Sequence, residues 1–248
     1  MTNATRSRPR APARDRSRAP ARPTGAIILA EEGIRIPAGV TDLETFRRWA
    51  RSDEFPERGK ITYLAGEVEI DMSPEEGNTH GSPKAAIANA IGLEVDARDL
   101  GVIYIDKMRL SNREAGLSAE PDVLVLLWPT IEAGRVRKVA KARGKKDRFV
   151  ELEGTADIVV ECVSDSSVGK DTKRLRELYH LARVREYWLA DAREEPVRFA
   201  LLRWTARRYV ETRADAFGFV RSRALDRSVR LVAQPPRAGF VRWHLEVR

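Results

Sequence analysis

The sequence predicts an α/β fold, a mixed sheet flanked by helices, with an antiparallel β extension at its C-terminal end. Two observations predict it. Between Thr41 and Asp191, stretches with apolar residues at helical spacing alternate with short runs of strand length. From Val197 onward only short alternating segments occur, which suit an antiparallel set. The 248 residues, 42% hydrophobic, suffice for one large domain. The expected organisation is a tail over residues 1–23, an α/β domain over 24–194, and a β extension of that domain over 195–248.

The first expected element is a helix opened by Thr41-Asp-Leu-Glu44, read as a capping box, with Leu43, Phe46 and Trp49 on one face. Ile61 to Leu64 and Glu67 to Met72, joined by Ala65-Gly66, form a hairpin that feeds a turn at Ser73-Pro74. From Lys84 to about Ala97, the spacing of Ile87, Ala90, Ile91 and Val95 predicts a second helix. Val102 to Leu110 and Pro121 to Trp128 follow as strands, the second so apolar that both its faces should be buried. After a basic loop or hairpin tip come strands at Phe149 to Leu152 and Asp157 to Val163, a helix from Lys170 to about Arg183, and a strand at Glu186 to Asp191. The extension carries segments around Phe199 to Trp204, Tyr209 to Thr212, Val229 to Val232 and Phe240 to Val247.

Charge is distributed unevenly. The formal net charge is +8, yet residues 1–23 alone carry seven arginines against the single Asp15. This stretch is rich in Ala and Pro and lacks Val, Ile and aromatic residues, the composition of a disordered basic tail. A second basic cluster, Arg135 to Arg148, holds eight bases and one acid, Asp147. Such clusters suit a polyanionic partner. No apolar run approaches the roughly 20 residues of a membrane helix, so no membrane partner is expected. The single cysteine, Cys162, excludes an intramolecular disulfide and a thiolate metal cluster, and points to a reducing, cytoplasmic setting.

Two carboxylates stand out because each sits at the edge of an apolar strand, where an unpaired charge is costly. They are Asp122, in Glu120-Pro-Asp-Val-Leu-Val-Leu-Leu127, and Glu161, in Ile158-Val-Val-Glu-Cys-Val163. On neighbouring strands the pair could converge on Mg²⁺, which takes hard oxygen ligands and can activate water beside a phosphate. The same pattern equally fits strand-end acids paired with an arginine or a backbone amide. His80, in Thr79-His-Gly-Ser-Pro-Lys84, is either a proton-transfer group or a helix-entry histidine that bonds its own loop. Cys162 falls on the strand face opposite Glu161 and reads as a small buried hydrophobe. His180 and His244 have no ligand spacing.

An ordered set of motifs carries a family resemblance. Pro121-Asp122, Val160-Glu161-Cys-Val-Ser164-Asp-Ser-Ser167, Lys170-Asp171, Tyr179 and Val184-Arg-Glu-Tyr-Trp-Leu-Ala-Asp191 resemble the Uma-two family of restriction-endonuclease-like proteins. So do the hairpin from Tyr63 to Pro74 and the following His80. The resemblance implies a restriction-endonuclease-like core in which Asp122 and Glu161 bind Mg²⁺ for DNA phosphodiester hydrolysis. It also marks a departure. Where the related pattern has a lysine two residues after the Glu this chain has Val163, and where the family supplies one from the next helix it has Leu175. Lys170 and Lys173 are the nearby candidates for the missing cation, although neither replaces Leu175 by a simple helical shift. The resemblance thus implies an endonuclease acting on DNA. The alternative is a nuclease fold that has lost catalysis and binds nucleic acid through its basic segments. A third reading makes the domain a protein-interaction module with solubilising arginines. Nucleases that cut both strands are commonly dimers, which places a homodimer among the expected partners.

Overall fold

The structure, a computed structural model, describes residues 26–29, 34–144 and 148–248. The basic stretch 1–23 and Lys145, Lys146 and Asp147 lie outside the described residues. The chain divides into two units, Met1–Gly39 and Val40–Arg248. In the first, β1 (Ala26–Leu29) and β2 (Ile34–Pro37) form an antiparallel pair.

The second unit begins with α1 (Leu43–Ala50). Its N-cap is Asp42, whose carboxylate accepts from the Thr45 amide at 2.8 Å while the Thr45 hydroxyl accepts from the Asp42 amide at 3.0 Å. The capping box is therefore one residue later than the sequence pattern indicated, because Asp and Thr satisfy the free amides and Glu44 pairs instead with Arg47 at 2.9 Å. The hairpin β3 (Lys60–Leu64) and β4 (Glu67–Asp71) follows, then a π-helical turn, Gly77–Gly81, leading into α2 (Ser82–Ala97).

The single strand expected over Val102 to Leu110 is in fact two, β5 (Gly101–Ile105) and β6 (Arg109–Asn112). Asp106 and Lys107 lie between them with φ of 52° and 46°, in the left-handed region that interrupts a strand. That break sends β5 and β6 into different sheets. Next come β7 (Leu117–Ala119), β8 (Val123–Leu127) and α3 (Trp128–Glu132). The first part of the basic cluster, with Arg137 and Lys138, is the strand β9 (Val136–Ala140), paired antiparallel with β10 (Phe149–Gly154). Strand β11 (Ile158–Cys162) leads to a π-helical turn, Lys170–Arg174, that continues as α4 (Leu175–Leu181) and returns through β12 (Glu186–Asp191). The remaining strands are β13 (Arg198–Arg203), β14 (Val210–Glu211), β15 (Val220–Ser222), β16 (Arg227–Arg237) and β17 (Phe240–Val247).

The central mixed sheet has the order β14-β13-β12-β11-β8-β5, and a second runs β4-β3-β7-β6-β10-β9. Strands β15, β16 and β17 form the C-terminal antiparallel sheet. Because β11 and β12 are parallel, their connection must cross over, and it does so through α4. Alternate residues of β11 feed two cores. Val159 packs with Leu175, Tyr179 and residues of the second sheet, while Ile158, Val160 and Cys162 pack with α2 and the C-terminal sheet. Period-two alternation on a strand buried on both faces therefore decides which way Glu161 points: toward α4. Among the described residues no helix is long and apolar enough to cross a membrane.

Candidate active site

Strands β8 and β11 pair antiparallel, with Val123 opposite Val160. Continuing that register by one residue sets Asp122 opposite Glu161 at the strand ends. Both side chains are buried and line a cleft of about 370 Å³. Each Asp122 oxygen is engaged: Oδ2 accepts from the Cys162 amide at 2.7 Å, and Oδ1 receives the Lys60 ammonium at 2.5 Å. Lys60 Nζ also lies 4.0 Å from Glu161 Oε2, so one ammonium faces both carboxylates. Glu161 Oε1 accepts from the Tyr179 hydroxyl, at 2.8 Å, on α4.

Lys60 opens β3, in the second sheet, and reaches the cleft through a tight entry. Gly59 has φ +75°, and a Cβ there would lie 2.3 Å from Met72 Sδ. The positive φ and the Asp71 carbonyl, 3.0 Å from such a Cβ, favour glycine at this entry. On the opposite side, His80 sits in the π-helical turn that precedes α2. Its Nδ1 is 2.7 Å from Glu75 Oε1 and its Nε2 is 3.5 Å from Asp122 Oδ2. Lys84 is buried and paired with Glu75 and with Asp106 at 3.1 Å. Glu120 is held by Arg109 and not by the Asp122 network.

The mixed sheet and its crossover helix agree with what comparison with known proteins finds. Residues 43–228 match the model of the Uma2 family, described as "Putative restriction endonuclease". The chain belongs to that family. A solved structure from Anabaena variabilis, titled as a "putative nuclease" belonging to DUF820, has a similar fold with a TM-score of 0.54. It is 16% identical, and the likeness covers 75% of this chain and 91% of that one. No curated protein matches the chain.

This Uma2 chain holds its site under opposed electrostatic pressures. Burial favours a neutral Asp122, yet Lys60 and His80 overcome it and hold the carboxyl well below its usual range. Glu161 goes the other way. Burial lifts its pKa to about 8 against the pull of Lys60, helped by the charges of Asp122 and Asp171. Asp171 follows at about 6, again through burial first, with Lys170 and Ser167 opposing. Although burial works against its charge, Lys60 stays protonated because Asp122 and Glu161 face it. Burial also opposes charge on His80, but Asp122 and Glu75 raise its pKa.

These features fit a hard cation in one respect and limit it in another. Asp171 Oδ1 is buried with no hydrogen-bond partner among the described residues, and Glu161 is left with more carboxylate charge around it than one ammonium offsets. Both are what a metal-oxygen site looks like before its ion is counted. Yet among the described residues no three His, Cys, Asp or Glu side chains are arranged to hold a metal. Two carboxylates are what such a cleft could offer a hard cation, with water completing the shell.

The sequence-derived candidates separate. Asp122, Glu161, His80 and Lys170 line one cleft. Lys170 approaches Glu69 and Asp71 of β4, at 3.9 Å each, and not Asp122. Lys173 is exposed and lines a different groove with Arg176, Arg207 and Arg208. Leu175 is packed in the core. Cys162 is buried and free on the face away from Glu161. Two functional candidates were not singled out: Lys60 and Asp171. Asp171 lay inside a quoted motif, but Lys60 carries no local signal, being 62 residues from Asp122 and in another sheet.

Proposed function

We propose that this chain is a Mg²⁺-dependent endonuclease that hydrolyses DNA phosphodiester bonds, with Asp122 and Glu161 as metal ligands. The observation that carries the reading is the cross-strand pair of buried carboxylates faced by the single ammonium of Lys60. Mg²⁺ held by these carboxylates supplies charge to offset the phosphate and acidifies bound water. Lys60, not Lys170 or Lys173, supplies the fixed cation. Its ammonium stabilises negative charge that develops on the phosphoryl oxygens as water adds to phosphorus and the P–O bond to the leaving strand end breaks. His80, held between Glu75 and Asp122, carries a proton within reach of the cleft and can pass it to the leaving oxygen. Tyr179 fixes the orientation of Glu161 through Oε1 and leaves Oε2 toward the cleft.

One observation favours the alternative, a nuclease-fold protein that binds nucleic acid without cutting it. The Lys60 ammonium pairs directly with Asp122, as it would in a site that has lost its metal. Nicking of supercoiled plasmid decides between them. Cleavage that needs a divalent ion and disappears in Asp122→Asn and Lys60→Met is expected. DNA binding without cleavage under Mg²⁺ or Mn²⁺ refutes the endonuclease reading in favour of the alternative.

A further inference from the structure

The cleft is a poor receptor for a polyanion. Seven carboxylates line it against four lysines, so DNA affinity has to come from cations elsewhere. Many of the chain's cations are neutralised locally. Arg137 pairs with Glu153 at 2.5 Å, Lys141 with Asp53 at 2.6 Å, and Arg174 with Glu67 and Glu69 at 2.7 and 2.9 Å. Two of the eight bases of the cluster Arg135 to Arg148, Arg137 and Lys141, are thus paired.

A groove of about 530 Å³ beside α4 differs. Lys173 and Arg176 line it from the helical stretch, Arg207 and Arg208 from the β13–β14 turn, and Glu177 is its one carboxylate. None of these four cations is ion-paired among the described residues. Their turn is clamped to the helix. His80 plays no part; His180 Nε2 donates to the Thr205 carbonyl at 2.8 Å, and the Arg208 amide donates to Thr205 Oγ1 at 3.2 Å. Trp204 stacks on the His180 ring at 5.9 Å and donates to the His180 carbonyl at 3.0 Å. The arginines are thus presented on a fixed aromatic base, which lowers the ordering cost of a contact.

We infer that this groove binds the backbone phosphates of the DNA strand whose scissile bond lies in the cleft, an inference that rests on the endonuclease reading. The spacing supports it. Lys170 lines the cleft and Lys173 the groove, on one continuous helical stretch, so the two begin about one helical turn, roughly 5 Å, apart. At about 3.4 Å of duplex axis per nucleotide, the groove meets phosphates a few nucleotides from the cut. Guanidiniums without ion-pair partners among the described residues, carried on a held turn, suit phosphate oxygens bidentately and carry no base readout, so the contact is independent of sequence.

The test is binding of the full chain to a fluorescein-labelled duplex of about 20 base pairs, in EDTA and across a salt series, followed by anisotropy. Arg207→Ala/Arg208→Ala is expected to weaken binding about tenfold at low salt and to reduce the slope of log affinity against log salt by about two. Arg137→Ala/Lys141→Ala removes the same formal charge from paired positions and is expected to keep the wild-type slope. A wild-type slope in the groove variant, or an equal loss in the paired-cation variant, overturns the inference. Because binding is read without divalent ions, the two readings fail separately. A chain that never cuts but loses slope in the groove variant refutes the endonuclease reading and keeps the groove. One that cuts and keeps its slope refutes the groove alone.

Discussion

The cleft and the groove beside α4 lie along one helical stretch, yet they handle charge in opposite ways. In the cleft, carboxylates outnumber lysines, and buried Asp122, Glu161 and Asp171 compete for too few cations. In the groove, Lys173, Arg207 and Arg208 are exposed and without ion-pair partners among the described residues. Burial explains the contrast. A charge in low dielectric is tolerated only with a partner or a shifted pKa, whereas an exposed cation keeps its hydration at little cost. The difference teaches that holding a hard ion and attracting a polyanion need incompatible environments; the cleft has the charge balance of the first and the groove that of the second.

The strongest way to break the comparison is Asp122→Asn, which keeps the shape and removes the charge. Plasmid nicking is expected to fall by about a thousandfold or more while DNA binding in EDTA stays unchanged. Lys60→Met comes next. Loss of the ammonium is expected to lower cleavage by about a hundredfold or more, yet to strengthen Mn²⁺ binding because the ammonium no longer competes for the carboxylates. The variant also leaves Asp122 buried without its main partner, so the metal-free protein should lose about 3 kcal/mol and regain it when Mn²⁺ is added. Calorimetry that shows weaker Mn²⁺ binding would place Lys60 outside the site.

A pH series sharpens the same contrast with a smaller effect. Glu161 has a folded-state pKa of about 8 against an ordinary 4.5. Its protonated form is favoured in the folded state, so its stabilising contribution is complete below 4.5 and is lost as pH rises to about 8. Asp171, at about 6 against 3.8, acts with the same sign, and Asp122, held low, with the opposite sign in acid. Thermal melts of the metal-free protein should decline from pH 5 to pH 8, and Glu161→Gln should flatten the decline; a melt that rises over this range contradicts the charge excess around Glu161. Tyr179→Phe is milder, costing about 1 kcal/mol through one lost hydrogen bond to Glu161. Smallest of all is the paired-cation variant Arg137→Ala/Lys141→Ala, whose exposed ion pairs contribute about 0–1 kcal/mol each by denaturant titration.

Much of the site was legible because charge is conspicuous in apolar strands. Asp122 and Glu161 interrupt two runs that otherwise read as core, and the structure sets them across from one another at the strand ends. Leu175, which the resemblance marked as the missing lysine position, is packed among apolar neighbours. Lys60 was not, since a lysine at the start of a half-exposed hairpin looks like any solvated strand end. Its significance arises only when the second sheet folds over the first. The break at Asp106 and Lys107 was equally silent, because apolar alternation continues on either side of it and only the left-handed φ values reveal the change of sheet.

By itself the sequence determined the α/β class, the family to which residues 43–228 belong, and the two carboxylates, because periodicity and the cost of burying charge act over short stretches. Tertiary structure alone decided which cation faces those carboxylates, and which basic residues stay unpaired. Those outcomes depend on contacts between residues tens of positions apart, where pairing is set by the packing of whole sheets and leaves no periodic trace in the chain.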